Sequence, residues 1–548
     1  MQEYEPVIGL EIHAQLKTKS KMFCASDNYS VNVEPNTNVC PVCMGFPGTL
    51  PVPNLQAIEW TMLLGMALDA KIAEEFNFER KNYFYPDLPK AYQISSATNP
   101  PVIGGSLKID TGKDSGPSFA QGFGTGGQAR MTAEGTEREI RLHHIHLEED
   151  AGKLVHAKNG TSLVDLNRAG TPLVEIVTEP DLRSGVEARV FMQTLRSLLR
   201  HLQISDANME QGNLRCDVNI SLRKVGEKKL GAKVEIKNMN SFKMIERAVN
   251  YEIERQTDLL KSGKKIAQET RGWDDAKGRT LGQRSKEEAH DYRYFPEPDI
   301  PKVSTKVDSR RSLSARSRWI PAGVYPPEAL RRRAGMTKEG GNDIGGIDLE
   351  KLRSLMPELP WEKKTRFEAE YGLNKKDADY LADDVEMADY FEKTLGHIEE
   401  ASVNSEIMKK YATRLSNWMT SELAGKMNEA SAEIDEIKIE PENMAELMIS
   451  IEKGAISGKQ AKDVFAEMFE TGKSAYGIIE EKGMKQITDT GALESVIDEV
   501  LAANPKVVED YKSGKEKAFG FLIGQVMAKT KGQANPKAVN EVLKRKLK

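Results

Sequence analysis

Residues 7–16 read VIGLEIHAQL, and the alternation in this stretch decides the fold of the first half of the chain. Ile8, Leu10, Ile12, Ala14 and Leu16 alternate with Gly9, Glu11, His13 and Gln15, the period of two that marks a half-buried strand. Glu11 and His13 therefore share a face. Four further strand-like stretches carry acids in the same way. In PLVEIV (172–177), Glu175 interrupts a wholly apolar run, where an ionised carboxylate is costly unless a cation or hydrogen-bond donors meet it. In RCDVNIS (215–221), Asp217 stands opposite Cys216 and Val218 across the pleat, and in KVEIKN (233–238) Glu235 stands opposite Val234 and Ile236. The run IRLHHIHLEED (140–150) ends in Glu148, Glu149 and Asp150. Oxygen ligands plus one imidazole suit a hard divalent ion, and Mg²⁺ carrying a nucleotide is the expectation.

At 548 residues the chain exceeds a single core and is expected to form about three or four domains. Charged residues make up 29% of it, and no apolar stretch approaches the roughly 18 residues that would span a bilayer. The opening MQEYEPVIGLEIH carries acids and enters a strand at once, without the basic and apolar zones of a targeting peptide, so a cytoplasmic protein is expected. The four cysteines do not suggest a disulfide framework. A formal net charge of −5 argues against adhesion to nucleic acid by the whole surface. Locally the balance differs: residues 504–548 hold 11 Lys/Arg against 4 Asp/Glu, a cationic patch suited to tracking phosphates.

Residues 1 to about 300 mix short alternating runs with Gly and Pro punctuation and helical stretches such as Val186–Leu202 and Phe242–Leu260, which reads as α+β with a mainly antiparallel sheet. After about residue 347 strand signals nearly vanish. Phe519, Leu522, Ile523 and Val526, then Val539, Val542, Leu543 and Leu547, recur at helical spacing, so a helical domain over 347–410 and a helical tail over 411–548 are expected. Segment 301–346 holds ten Lys/Arg and four acids and reads as a basic linker or insertion.

Other motifs compete. GFGTGG (122–127) has dinucleotide-fold spacing, but a polar stretch precedes it and no helix pattern follows, so it reads as a loop. Without a P-loop motif, any ATP phosphates must be held by metal and by dispersed Lys and Arg side chains. Cys40 and Cys43 have zinc-ligand spacing and Cys24 offers a third thiolate, yet a structural zinc wants four ligands and Ser26 is a poor fourth. RKNYFYPDLPKAYQIS (80–95) packs tyrosines and cations between prolines; Lys81, Tyr83, Asp87 and Lys90 could line a polar passage or hold an aminoacyl end, or serve only to pack an ordered loop.

Taken together, VIGLEIHAQLKTKSKMFC, NTNVCPVCMGFPGTLPV, RKNYFYPDLPKAYQIS, HLEEDAGK, SLVDLNRAGTPLVEIVTEPD, LRCDVNISLR, KVEIKNMNSF, DYRYFPEPD and KAFGFLIGQVMAKTKGQANPKAVNEVL closely resemble, in order, the B subunits of the aspartyl/glutamyl-tRNA amidotransferases. The resemblance covers residues 5–300 and about 350–548. It implies a cradle domain related to glutamine synthetase and the guanidino kinases, then all-α helical and tail domains. It further implies ATP-dependent phosphorylation of the side-chain carboxylate of Glu or Asp esterified to tRNA. Ammonia from the glutaminase (A) subunit of a heterotrimer with A and C subunits would then displace phosphate. Carried over residue by residue, the family's metal site implies Mg²⁺ ligands at Glu11, His13, Glu149, Glu175, Asp217 and Glu235. Lys81, Tyr83 and Lys90 would lie near the ammonia exit or acyl group, and Arg215, Lys237 and Arg293 would neutralise phosphate charge. Two departures stand out: the fourth zinc cysteine of some members is absent near Ser26, and MEQG around Gln211 replaces the more usual MEEG.

Two other readings fit the residues less fully. A stand-alone ATP-dependent amidoligase for a small acid would not need a cationic helical tail. A noncatalytic tRNA-binding scaffold would not need buried carboxylates on strands.

Overall fold

The computed structural model describes residues 3–30, 32–112, 137–156, 160–285, 293–305, 347–399, 404–430, 432–484, 490–515, 517–530, 534 and 536–547. The motif at 122–127 and most of the basic segment, 306–346, lie outside the described residues. Two compact units emerge, Met1–Leu359 and Pro360–Lys548.

In the first unit the strand Tyr4–Gln15 is central, paired antiparallel with Pro172–Thr178 on one side and Leu214–Lys224 on the other. Its apolar residues Ile8, Leu10, Ile12 and Ala14 are buried, while Glu11, His13 and Gln15 remain half-buried on the opposite face, as the alternation requires. From this centre the sheet runs outward through Leu214–Lys224, Val234–Lys237, Glu269–Asp274 and Arg279–Ser285. In the other direction it runs through Pro172–Thr178, Glu137–Glu149, Tyr92–Ser95, Glu79–Asn82 and Phe295–Pro296. Val234–Lys237 pairs parallel with Glu269–Asp274, which makes the sheet mixed, although the pairings around the centre are antiparallel.

Helices Leu55–Ala67, Gly185–His201 and Phe242–Lys261 share one apolar core with the buried face of the sheet. The second of these shows why it forms and where it starts. Ala188, Phe191, Met192, Leu195, Leu198 and Leu199 recur at three- and four-residue spacing and are all buried, and Ser184 caps the N-terminus by accepting from Glu187 N. Gly185 lets this helix approach its neighbour closely, since a Cβ there would meet Glu246 O at 2.6 Å. The apolar face is thus closed by helices, and the polar row is left on the other face.

The second unit is helical from Pro360–Tyr371 to Pro536–Leu547. One apolar cluster runs from Phe367 to Ile479 and a second from Leu493 to Leu547, the latter containing the expected Leu522, Val526, Val539, Val542, Leu543 and Leu547. The divisions therefore differ from those the sequence suggests. Phe391 and Leu395 share a core with Tyr411 and Leu415, so residue 410 lies inside a packed cluster and not between domains. Leu352 and Leu359 pack in the core of the first unit, which extends that unit beyond residue 300.

Candidate active site

Strand register brings the row together. Across the Tyr4–Gln15 strand, Glu11 faces Asp217 and Val177, and His13 faces Glu175 and Arg215. Glu175 in turn faces His146, and Leu173 faces Glu148. On the far side Asn219 faces Glu235, whose carboxylate accepts from Thr270 Oγ1 at 2.7 Å. Residues opposite one another in an antiparallel ladder share a face, so five strands deliver their polar side chains to one surface.

The contacts are close. His13 Nε2 lies 3.1 Å from Glu175 Oε2 and 3.5 Å from Glu148 Oε1, and His146 Nε2 lies 3.4 Å from Glu175 Oε2. Lys237 Nζ reaches Asp217 Oδ2 at 2.6 Å and Glu235 Oε1 at 3.2 Å. Burial alone would push the His13 imidazole down, but its hydrogen bond to Glu175 and the charges of Glu148 and Glu175 outweigh it and lift the group to about 9. Glu175 is the converse case. Its burial opposes ionisation, yet the His13 hydrogen bond and the charges of His146, His13 and Lys81 hold it down to about 2. Glu11 is raised, first by burial and then by the Glu175 charge. Burial disfavours a charged Lys237, but Asp217 and Glu235 keep its ammonium well above the ordinary range.

Oxygen atoms in this row remain unsatisfied. Glu148 Oε2 and Asn219 Oδ1 are buried without a hydrogen-bond partner, and Glu11, His13 and Glu175, like His146, Glu148 and Glu175, offer ligand atoms within 4.8 Å of one another. A buried orphan carboxylate oxygen beside a second carboxylate fits a hard divalent cation. The arrangement can hold such an ion and, with Lys237, Lys81 and Arg215 around it, an anionic ligand. Arg215 donates to Asp150 Oδ2 at 2.9 Å and keeps a buried Nε without a partner.

Known proteins match along the whole length. Residues 6–310 match the GatB/GatE catalytic domain family and residues 396–547 the GatB domain family. The B subunit of the aspartyl/glutamyl-tRNA(Asn/Gln) amidotransferase from Persephonella marina is 46% identical over 546 residues, covering all of both chains. Proteins of the same name from Carboxydothermus hydrogenoformans and Thermodesulfovibrio yellowstonii are 45% and 44% identical, with at least 98% of each chain covered. The chain belongs to the GatB family.

In this GatB-family chain, Glu11, His13, Glu175, Asp217, Glu235, Arg215 and Lys237 lie on one surface, and the charge of Lys81 acts on Glu148 and Glu175. Glu149 does not join them. One residue beyond Glu148, it points to the other face, where it accepts from Ile94 N at 3.0 Å and pairs with Lys90. The face expected for Glu149 is taken by Glu148, and Lys90 goes with Glu149 to the other face. Tyr83 is part-buried, and burial together with the charges of Glu148, Asp87 and Glu149 pushes its phenol up. Arg293 is exposed, and its backbone carbonyl accepts from Asn82 Nδ2 at 2.6 Å. His146 and Thr270 belong to the row although their residue types alone did not single them out. Counting back by two from Glu148 finds His146.

The Cys24, Cys40 and Cys43 sulfurs lie within 4.8 Å of one another. Beside Cys43 Sγ stand Ser26 Oγ at 3.9 Å and the buried Lys21 ammonium at 3.8 Å, neither of which is a usual zinc ligand. The trio falls one thiolate or imidazole short of a structural zinc site. Hydrogen bonds from Cys24 and Cys43 draw the Cys40 thiol well below its ordinary range. Among the described residues, no helix is long and apolar enough to cross a membrane.

Proposed function

We propose that this chain is the carboxylate-activating subunit of a tRNA-dependent amidotransferase, a glutamine-hydrolysing carbon–nitrogen ligase working with a glutaminase (A) subunit and a C subunit in the cytoplasm. Its substrates are ATP and tRNA mischarged with Glu or Asp, and its first unit is a cradle related to glutamine synthetase and the guanidino kinases. The observation that carries the reading is the row of carboxylates and imidazoles that strand register gathers on one face of the sheet.

A side-chain carboxylate resists attack by ammonia until one oxygen becomes a leaving group. Transfer of the γ-phosphoryl group breaks its bond to the β-phosphate and forms an acyl phosphate. Attack by ammonia then breaks the carbon–oxygen bond to phosphate and releases a proton as the amide forms. Both steps need positioning and charge neutralisation more than covalent help from the protein. Glu11, His13, Glu148 and Glu175 would hold Mg²⁺, with Asp217 and Glu235 further along the row, and the ion supplies neutralisation of phosphate oxygens when bound. Lys237, fixed by Asp217 and Glu235, presents a permanent cation to the phosphates at one end of the row, and Lys81 presents one to the acyl group at the other. The Lys90–Glu149 pair from behind the row and Tyr83 beside Glu148 would line the approach of ammonia. The cationic residues of 504–548 engage the tRNA body.

The test is ADP formation by the reconstituted complex given ATP and mischarged tRNA. The reading predicts that ADP release depends on the aminoacyl group and that Glu175→Gln reduces it at least about 100-fold while the complex still assembles, an effect on the scale of losing a preorganised electrostatic group. Unchanged ADP release in that variant would reduce the chain to a scaffold.

A further inference from the structure

Four large aromatic side chains stand in water at one edge of the row. Phe84 is 87% exposed, Tyr85 57%, Tyr294 47% and Phe295 45%. They sit on two adjoining strips. Phe295 lies opposite Arg80 in the strand pairing, and Asn82 ties the strips together through its hydrogen bond to the Arg293 carbonyl. Arg293 holds a φ of 35°, a left-handed conformation that favours glycine and costs energy in an arginine, directly before Tyr294. The edge belongs to the same sheet as the chemistry. Across the ladder Pro296, next to Phe295, faces Glu79, Glu79 faces Ser95 and Ser95 faces Glu148, so two strands separate the aromatic edge from the carboxylates.

We propose that Phe84, Tyr85, Tyr294 and Phe295 form a stacking rim for the unpaired nucleobases at the aminoacyl end of the tRNA. The inference rests on the function proposed above and deepens it. Aromatic faces exposed beside cations match single-stranded nucleic acid, whose bases stack while the phosphates meet positive charge. Here the cations are Lys81 and Arg293, whereas Arg80, whose guanidinium lies 6.0 Å from the centre of the Phe295 ring, is paired with Glu297 and Asp299 and braces the rim. The rim occupies the sheet edge beyond Glu148, whereas Lys237 stands across the row beside Asp217, so bases held on the rim leave that cation to ATP. Openness also favours the end of a macromolecule over an enclosed small molecule, since Phe84 has almost no protein cover.

The test uses the complex reconstituted with its partner subunits and two probes, intact uncharged tRNA and the same tRNA trimmed of its unpaired terminal nucleotides. Phe84→Ala and Tyr294→Ala are each expected to weaken binding of the intact tRNA about tenfold, in line with the loss of one stacked base, and to bind the trimmed tRNA as the unaltered complex does. Tyr294→Phe should restore binding, because the ring and not the hydroxyl does the stacking. Equal weakening with both probes, no weakening, a raised KM for ATP in place of the tRNA effect, or failure to assemble with the partner subunits would each overturn the rim, the last by making it a protein interface. Glu175→Gln in the same complex separates the two ideas. Loss of ADP formation there together with normal tRNA binding by the alanine variants sinks the rim alone, whereas retained ADP formation sinks the reading beneath it.

Discussion

His13 and Glu175 hold one another in opposite charge states, and their stabilising effect depends on pH in a definite direction. The imidazole is lifted from an ordinary 6.5 to about 9, so its contribution to stability is complete below about 6.5 and is lost as pH rises through about 9. The carboxylate is lowered from 4.5 to about 2, so its contribution is present above about 4.5 and is lost as pH falls through about 2. Both are whole between those limits. Thermal unfolding without divalent cations should therefore show the largest gap in Tm between the unaltered chain and His13→Asn at pH 5–6, with the gap shrinking by pH 9.5. A gap that stays constant across that range would mean that the imidazole is not protonated in the folded protein.

At the scale of elements, the sheet beyond Glu235 is locked to a helix by one buried acid. Glu252 on Phe242–Lys261 is fully buried and accepts from Arg255 and Gln256 on its own helix and from Thr280 on Arg279–Ser285, with Arg271 Nε on Glu269–Asp274 at 3.2 Å. Removing its charge leaves Arg255 and Arg271 to share the single part-exposed carboxylate of Glu269. Glu252→Gln should lower the free energy of unfolding by about 3 kcal/mol, visible as a lower urea midpoint with an unchanged slope. The elements themselves were largely legible in the sequence. The helices anticipated at Val186–Leu202 and Phe242–Leu260 occur as Gly185–His201 and Phe242–Lys261, because caps and apolar spacing are local signals. The strand face holding Glu11, His13, Glu175, Asp217 and Glu235 follows from alternation alone. What alternation cannot supply is the phase at the end of a run: LEED offers three consecutive acids, and only the register of Leu173 against Glu148 shows which carboxylate shares the face of Glu175. Thr270 was hidden for a similar reason, since it reaches Glu235 through a parallel pairing that no local pattern announces.

For the whole molecule, core membership decides where the chain can be cut. A chain ending at Leu359 keeps the apolar core of the first unit complete, whereas one ending at 410 keeps Phe367, Phe391 and Leu395 but loses Leu415, Leu447 and Met448, with which they cluster. The shorter chain should unfold cooperatively in urea and elute as a monodisperse species, while the longer one should bind hydrophobic dye and aggregate. The reverse order of behaviour would place the boundary near residue 410 after all. The central claim is also one of long-range assembly, because strands from residue 4 to residue 237 must converge to build one cation site. Titration of Mn²⁺ into the metal-free chain, followed by electron paramagnetic resonance, tests it most directly. The account predicts saturable binding that is lost in Glu148→Gln and Glu175→Gln and kept in Glu149→Gln; binding that survives the first two changes, or vanishes only with the third, would contradict it.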